Sequence, residues 1–476
     1  MTAAGNSLTP AANLRGPEDA TDEQVAAVVD GLRQTFTTGR THSYEWRRRQ
    51  LRALSRLLKE NEKEITAALA ADLGRPAGDA WLADIAATQL ELKYVLRHLK
   101  GWMRDTRGTL PLAQQPGSGR VHREPLGVVL VIGPWNYPFQ LTLGPLIGVL
   151  AAGNCAVVKP SELAPVSSRV VAQLIPRYMD PDAVAVIEGA APTTTAIIAQ
   201  GLDHIIFTGS PEVGKKVMAG AAQHLTPVTL ELGGKSPVIV ADDADIEVAA
   251  RRIIWAKLVN SGQTCITADY VLASRKVMPE LVDALTDTLA RFQKASGRVA
   301  LPIVNRRQFD RLSKLLADHN GNIVAGGATN SEALTIAPTI IVGPDTASPV
   351  MQDEIFGPLL PVVAVDDVDD AIRFVRSRPK PLAIYVFSQS ADVADKMMTQ
   401  TSSGGLVVNH IGLHCMASAL PFGGVGNSGM GAYHGRWGFE TFSHRKAVVT
   451  KTTRPDPALL YPPETKLKQR VLRRFF

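Results

Sequence analysis

From Leu126 onward the chain alternates short apolar runs with helix-length segments, and this alternation limits the fold more than any other feature. The runs are Val128–Ile132, Ala156–Lys159, Val184–Ile187 and His204–Phe207, each followed by a stretch long enough for a helix. Strands alternating with helices predict parallel βαβ units. A second series begins near Leu232. It holds Val238–Val240, a helix from Asp245 with Ile246, Ala249, Ala250 and Ile253 on one face, Leu360–Val365, a helix from Asp367, Ala383–Phe387 and a helix from Asp392. The boundary near Glu231–Gly234 leaves a cleft between two α/β units. Open parallel sheets bind ligands at the carboxyl ends of their strands, and dinucleotides are common among those ligands.

The first hundred residues read as helical. Thr21-Asp22-Glu23-Gln24 has the pattern of a capping box ahead of Val25, Val28, Val29 and Leu32. A second helix carries Leu51, Leu54, Leu57 and Leu58, and Asp72-Leu73-Gly74-Arg75-Pro76 stops a third. Met1–Thr21 is polar and lacks the order of a signal peptide. Leu141–Val158 is an uncharged run near the lower length limit for a membrane span. Its Gly153-Asn154 pair instead predicts a turn between a buried helix and a buried strand.

A net charge of +6 is spread without a long basic block, so nucleic acid is not an expected partner. Three cysteines, Cys155, Cys265 and Cys415, are odd in number and widely spaced. They argue against a disulfide framework and for a reducing, cytoplasmic setting, and no metal-ligand spacing occurs.

Four segments carry residues suited to chemistry. Gly262-Gln263-Thr264-Cys265 places a thiol in a loop between a helix and the apolar strand Val271–Ala273. Thiolates attack carbonyls, but a free thiol with a pKa of ~8.5 is mostly protonated at neutral pH. Alone, such a cysteine is more often an inert small hydrophobe. Glu231-Leu232-Gly233-Gly234-Lys235 ends a strand, where a carboxylate can face a cleft and take a proton. Its bland reading is a surface salt bridge. Pro134-Trp135-Asn136-Tyr137-Pro138 follows a strand, and an amide donor there suits an oxyanion position. A turn in which Asn bonds its own backbone is the plain alternative. Phe207–Gly214 lies at a strand-to-helix junction with glycines at Gly209 and Gly214, a spacing that permits pyrophosphate binding but is weak evidence by itself. The literal G-x-G-x-x-G at Gly424–Gly429 lacks the strand–turn–helix context of a nucleotide fingerprint and reads as a loop where backbones pass closely.

Taken in order, these segments resemble the aldehyde dehydrogenase superfamily over about Val121–Thr450. Lys159-Pro160-Ser161-Glu162, Glu354-Ile355-Phe356-Gly357-Pro358 and Pro421-Phe422-Gly423-Gly424 complete the set. Leu225–Leu230, Asn305-Arg306-Arg307 and Gly429–Gly435 look like the class 3 branch, which includes fatty aldehyde dehydrogenases. The resemblance implies an α/β fold with two Rossmann-like domains, one for cofactor and one for catalysis, plus a small β-hairpin oligomerisation element. It implies residues 1–108 and 124–231 for NAD(P), 232–405 for the nucleophile domain, 109–123 and 406–446 as bridging segments, and 447–476 as a tail.

The same resemblance implies NAD(P)-dependent oxidation of an aldehyde to the acid. Cys265 attacks the aldehyde carbon, while the Asn136 amide and the Cys265 N–H hold the oxyanion. Glu231 activates the water that hydrolyses the thioester. Glu354 bonds the nicotinamide ribose with Phe356 beside it. Lys159 and Glu162 contact the adenosine ribose, and Gly209, Ser210 and Gly214 face the pyrophosphate. NAD is expected first, with NADP left open because Lys159 can pair with a 2′-phosphate. The family pattern of a small residue and then Pro after the nucleophile is replaced by Ile266-Thr267-Ala268, which predicts a less rigid loop. Tyr137, Trp255 and Ile266 favour a medium or long aliphatic or an aromatic aldehyde. A homodimer is expected from the class 3 likeness. The basic tail Lys466–Phe476 is read first as solvated or packed, and second as a weak peripheral contact for an anionic membrane. The competing outcomes are a CoA-acylating dehydrogenase, which lacks the glutamate base, and a catalytically silent structural homologue.

Overall fold

The computed structural model describes residues 18–456 and 458–475. The expectation for the extreme N-terminus therefore lies largely outside the described residues, as does Phe476.

Strands Val128–Ile132, Cys155–Lys159, Val184–Val186, His204–Thr208 and Val228–Glu231 pair in parallel. Gly429–Met430 adds an antiparallel edge against Leu230–Glu231. Across this six-stranded sheet the order runs 429–430, 228–231, 204–208, 128–132, 155–159, 184–186. The winding direction reverses between 128–132 and 204–208, so the loops after these two strands open a crevice at the carboxyl end. Those loops are Pro134–Pro138 and Gly209–Ser210.

A seven-stranded sheet forms the second unit, in the order 322–325, 339–342, 359–365, 270–274, 237–240, 383–387, 405–408. All of its pairings are parallel except that of the edge strand Asn322–Ala325. The central strands are buried on both faces, as their unbroken apolar sequences require. One apolar core joins the N-terminal helices to the first sheet, and two further cores flank the second. Ile266 packs against both the first core and one of the flanking ones, so the segment after Cys265 lies where the units meet.

Several local expectations are met for identifiable reasons. Thr21 and Gln24 form the reciprocal capping box of helix Asp22–Thr37. The uncharged run splits into helix Gln140–Ala152 and strand Cys155–Lys159 at Gly153, whose φ of +91° suits glycine. Asn154 then ties this turn down, accepting from the N–H groups of Leu126 and Gly127. Among the described residues no helix is long and apolar enough to cross a membrane.

Three sequence boundaries fall inside strands. Gly405–Val408 pairs with Ala383–Val386, so the segment expected to begin bridging at 406 starts within the second sheet. Thr106–Gly108, Gly117–Pro125 and Ser443–Lys451 form a separate antiparallel sheet, which carries the boundaries at 124 and 447 through its strands. Beyond it lies a helix, Lys466–Phe475, with Leu467 exposed.

Candidate active site

The loop that carries Cys265 begins with an unusual backbone. After helix Ile246–Leu258, three successive residues have positive φ: Asn260 (50°), Ser261 (54°) and Gly262 (70°). Only glycine adopts this region freely, so Asn260 and Ser261 hold strain that their contacts must offset. Those contacts are present. Asn260 Nδ2 donates to the carbonyls of Asn136 (3.0 Å) and Gln263 (3.2 Å), and Ser261 Oγ donates to Leu301 O. A Cβ at Gly262 would lie 2.3 Å from the Gly357 carbonyl oxygen. Gln263 is fully buried, donating through Nε2 to Asn260 O and Pro302 O and accepting through Oε1 from Val304 N–H.

Asn136 comes to the same loop from the first unit. It is buried, and its Nδ2 donates to Gln263 O over 3.1 Å. Its neighbour Tyr137 shares a 2.7 Å hydrogen bond with the hydroxyl of Thr264. Among the described residues, neither the Cys265 N–H nor the second amide hydrogen of Asn136 has an acceptor. An amide donor carried to the loop of a thiol is one part of what an oxyanion site requires.

The carboxylates follow from the segment after the last central strand. Glu231 is buried at the end of Val228–Glu231, and both of its carboxyl oxygens lack a partner among the described residues. Burial alone pushes its carboxyl well above the usual carboxylate range. Its backbone is held by Gly429, and the following Leu232 N–H donates to Ser428 O. Close backbone passage is thus the use of the Gly424–Gly429 loop, where a Cβ on Gly429 would meet Leu230 O at 2.1 Å. Glu354 lies against Gly233, where an added Cβ would sit 2.1 Å from its Oε2. Burial, and next the Asp269 carboxylate, raise Glu354 to about 8. Burial, then Glu354, then Glu231, push the Cys265 thiol upward, so in this state the sulfur holds its proton.

Lys235 organises this wall. Its Nζ pairs with Asp269 at 2.5 Å and donates to the carbonyls of Val350 and Asp353, while Asp269 Oδ2 accepts from Ile355 N–H. Arg311 donates to Glu354 O and Ile355 O from the other side. Phe356, at φ 48°, then meets Trp135 edge-on at 5.5 Å. The segment 266–268 is pinned, contrary to the less rigid loop expected. Thr267 Oγ1 donates to Ala256 O, Ala268 is fully buried, and Tyr385 donates its hydroxyl hydrogen to Ile266 O.

At the crevice of the first sheet, Lys159 Nζ donates to Gly189 O (2.6 Å) and Pro160 O (2.9 Å) and reaches Glu162 at 3.2 Å. Ser210 caps helix Pro211–Ala222 just after Gly209. Gly214 lies deeper. Its N–H is used within the helix, and a Cβ there would meet Leu232 at 2.8 Å, so its smallness serves helix packing rather than an anion contact.

Lys235, Asp269, Arg311, Asn260, Gln263 and Lys257 did not stand out as site residues in the sequence. Lys257 is buried, its Nζ donates to Gly357 O, and burial lowers it to about 8. Lys235 and Gln263, which lie within the glutamate and cysteine segments, and Asp269, just after the latter, carried a signal of position alone.

The model of the aldehyde dehydrogenase family matches residues 9–448. The chain belongs to that family. It is 44% identical over 456 residues to aldehyde dehydrogenase family 3 member H1 of Arabidopsis thaliana, covering 94% of each chain. It is 45% identical over 444 residues to the rat enzyme named aldehyde dehydrogenase, dimeric NADP-preferring, covering 92% of this chain and 98% of that one. A solved structure described as the substrate-bound state of Staphylococcus aureus AldH superposes with a TM-score of 0.91 at 40% identity, covering 95% and 99% of the two chains. Its relatives are thus of class 3, and this aldehyde dehydrogenase oxidises aldehydes with a nicotinamide cofactor.

Proposed function

We propose that Cys265 is the nucleophile, Asn136 with the Cys265 N–H the oxyanion site, and Glu231 the base for deacylation. The observation that carries this reading is the bond from Asn136 Nδ2 to Gln263 O, which brings a free amide hydrogen to the cysteine loop. The Cys265 sulfur adds to the aldehyde carbon as its proton passes to solvent water, and the carbonyl oxygen takes the negative charge between the two donors. When bound, the nicotinamide supplies the capacity to accept two electrons and a hydrogen from that carbon. The acyl group then remains on the sulfur as a thioester. Glu231 takes a proton from water, whose oxygen adds to the acyl carbon, and the sulfur leaves.

The residues at the crevice fit a dinucleotide. The start of helix Pro211–Ala222 offers N–H groups and a positive dipole end to a pyrophosphate beside Gly209 and Ser210. In this reading Lys159 and Glu162 take the adenosine ribose, and Glu354 and Phe356 the nicotinamide ribose. NAD comes first in this reading, since Glu162 accepts from a 2′-hydroxyl. Lys159, whose partners besides Glu162 are neutral carbonyls, can exchange one of them for a 2′-phosphate, and the rat relative's name includes NADP.

For the substrate, an apolar chain is supported by Ile266 and by Trp255, exposed at 42% and edge-on to His410. The three-stranded sheet and the rat relative's name support a homodimer, and three free cysteines support a cytoplasmic location. The helix Lys466–Phe475 has five basic and no acidic residues, which supports weak contact with an anionic membrane. An aldehyde panel of graded chain length, read as NADH and NADPH formation with and without CoA, tests the reading. Acid formation without CoA, rising with chain length, is expected. A CoA requirement, or NADH formation by Cys265→Ala, overturns it.

A further inference from the structure

Between the helices Ala77–Ala80 and Ala87–Trp102 the backbone takes π-helical pitch over Trp81–Ala86. Such turns are rare and tend to occur where a side chain must be re-aimed for function. Here Asp84 is turned fully inward while Trp81 and Leu82 stay exposed. A carboxylate without water must be fully partnered. Its Oδ2 accepts from Arg75 NH1 at 2.6 Å, and its Oδ1 accepts from the backbone N–H groups of Phe139 (3.1 Å) and Gln140 (3.0 Å). Helix Gln140–Ala152 has no capping side chain of its own, so Asp84 satisfies its first donors from 55 residues away.

Arg75 is buried with it. Its NH2 donates to Asp79 O, and its guanidinium carbon lies 4.8 Å from the centre of the Tyr137 ring. Tyr137 in turn holds Thr264, the residue before Cys265. Two buried charges thus grip both sides of Asn136: one through Tyr137, the other through Phe139 and Gln140.

We propose that Arg75 and Asp84 are positioning residues for the reaction, holding the Asn136–Tyr137 turn in register with Thr264–Cys265. The inference rests on the roles proposed above for Asn136 and Cys265. Neither charge faces the reacting atoms; each acts through the turn. Loss of the grip lets the oxyanion donor drift from the sulfur, and a displacement of about 1 Å costs on the order of 10²-fold in rate.

The test is a double-mutant cycle between Arg75→Lys and Tyr137→Phe, with Asp84→Asn alongside, using octanal and NAD+. Burst titration counts active sites, so a variant that merely folds less well shows fewer sites at the same kcat. Expected is a kcat per active site lowered on the order of 10²-fold in Arg75→Lys, with the KM for NAD+ unchanged. The double variant should be no slower than the slower single one, because both changes cut one connection. Multiplying losses, or wild-type kcat per site in Arg75→Lys, overturns the inference. If Asp84→Asn does not fold, Arg75→Lys carries the test, since it keeps a cation beside Asp84. If neither folds, Tyr137→Phe with wild-type kcat per site is the overturning result. An active Cys265→Ala would sink the site reading itself, whereas an inactive Cys265→Ala beside a fully active Arg75→Lys would sink only this inference.

Discussion

Asn136 Nδ2 donates to the carbonyl of Gln263 across 3.1 Å, linking a turn of the first α/β unit to the Cys265 loop of the second. One amide hydrogen is spent on this link, and the proposed oxyanion role uses the other. Asn136→Ala should therefore lower kcat by about 10²–10³-fold, the usual cost of a lost oxyanion donor. Asn136→Asp should be as slow, since it puts a carboxylate where negative charge develops. Steady-state rates with a single aldehyde check both, and a variant within threefold of wild type would remove Asn136 from the oxyanion site.

Glu231 gives a pH prediction with a definite sign. Its carboxyl is raised by burial, so the folded protein binds a proton there more tightly than the unfolded chain does. Stability from this group is complete below the unfolded pKa and falls as pH rises through the folded one. Glu231→Gln removes that fall. The variant should melt at the same temperature as wild type near pH 4 and higher than wild type at pH 8–9, while its deacylation slows by roughly 10²–10⁴-fold. Equal melting shifts at both pH values would show that burial is not what perturbs this carboxyl.

Lys235 and Asp269 form a nearly buried ion pair that also fastens the segment carrying Glu354. Removing one partner strands the other charge, so Lys235→Ala should cost about 3–5 kcal/mol by denaturant unfolding. Lys235→Met, which fills the same space, should cost about as much, because it too leaves Asp269 unpaired. Pairing Lys235→Met with Asp269→Asn should recover part of the loss. No recovery in the double variant would mean that the carbonyl contacts of Lys235, rather than its charge, hold the segment.

Sequence and structure differ most where contacts are long in range. The central strands were legible because fully buried parallel strands are written as unbroken apolar runs, such as Val128–Ile132 and Ala383–Phe387. The strand Gly117–Pro125 was not, since it pairs with Ser443–Lys451 on a largely exposed sheet and shows no apolar rhythm. The site was legible where chemistry is contiguous: Glu231 lies beside its glycines, and Cys265 has its own short segment. Asn260 and Ser261 gave no sign of a left-handed backbone, because a non-glycine in that conformation is selected by distant partners. Asp84 lies in an ordinary helical pattern, and the π turn that re-aims it is set by packing.

Gly233 offers the sharpest test of Glu354. A methyl group there would fall 2.1 Å from Oε2 and 2.4 Å from Oε1 of that carboxylate. The obstacle is the end of a flexible side chain, so Gly233→Ala can fold by pushing Glu354 aside. Its stability should change little, whereas the KM for NAD+ should rise about tenfold and kcat should change less. The pH dependence sharpens the point. Glu354 ionises at about 8 in the free protein, and its ionised form is the better acceptor for a ribose hydroxyl. In wild type, kcat/KM for NAD+ should climb through pH 8 before levelling. In Glu354→Gln and in Gly233→Ala that climb should flatten, because the carboxylate is absent in one and displaced in the other. A Gly233→Ala profile that kept the wild-type climb together with a wild-type KM would place the ribose contact on another residue.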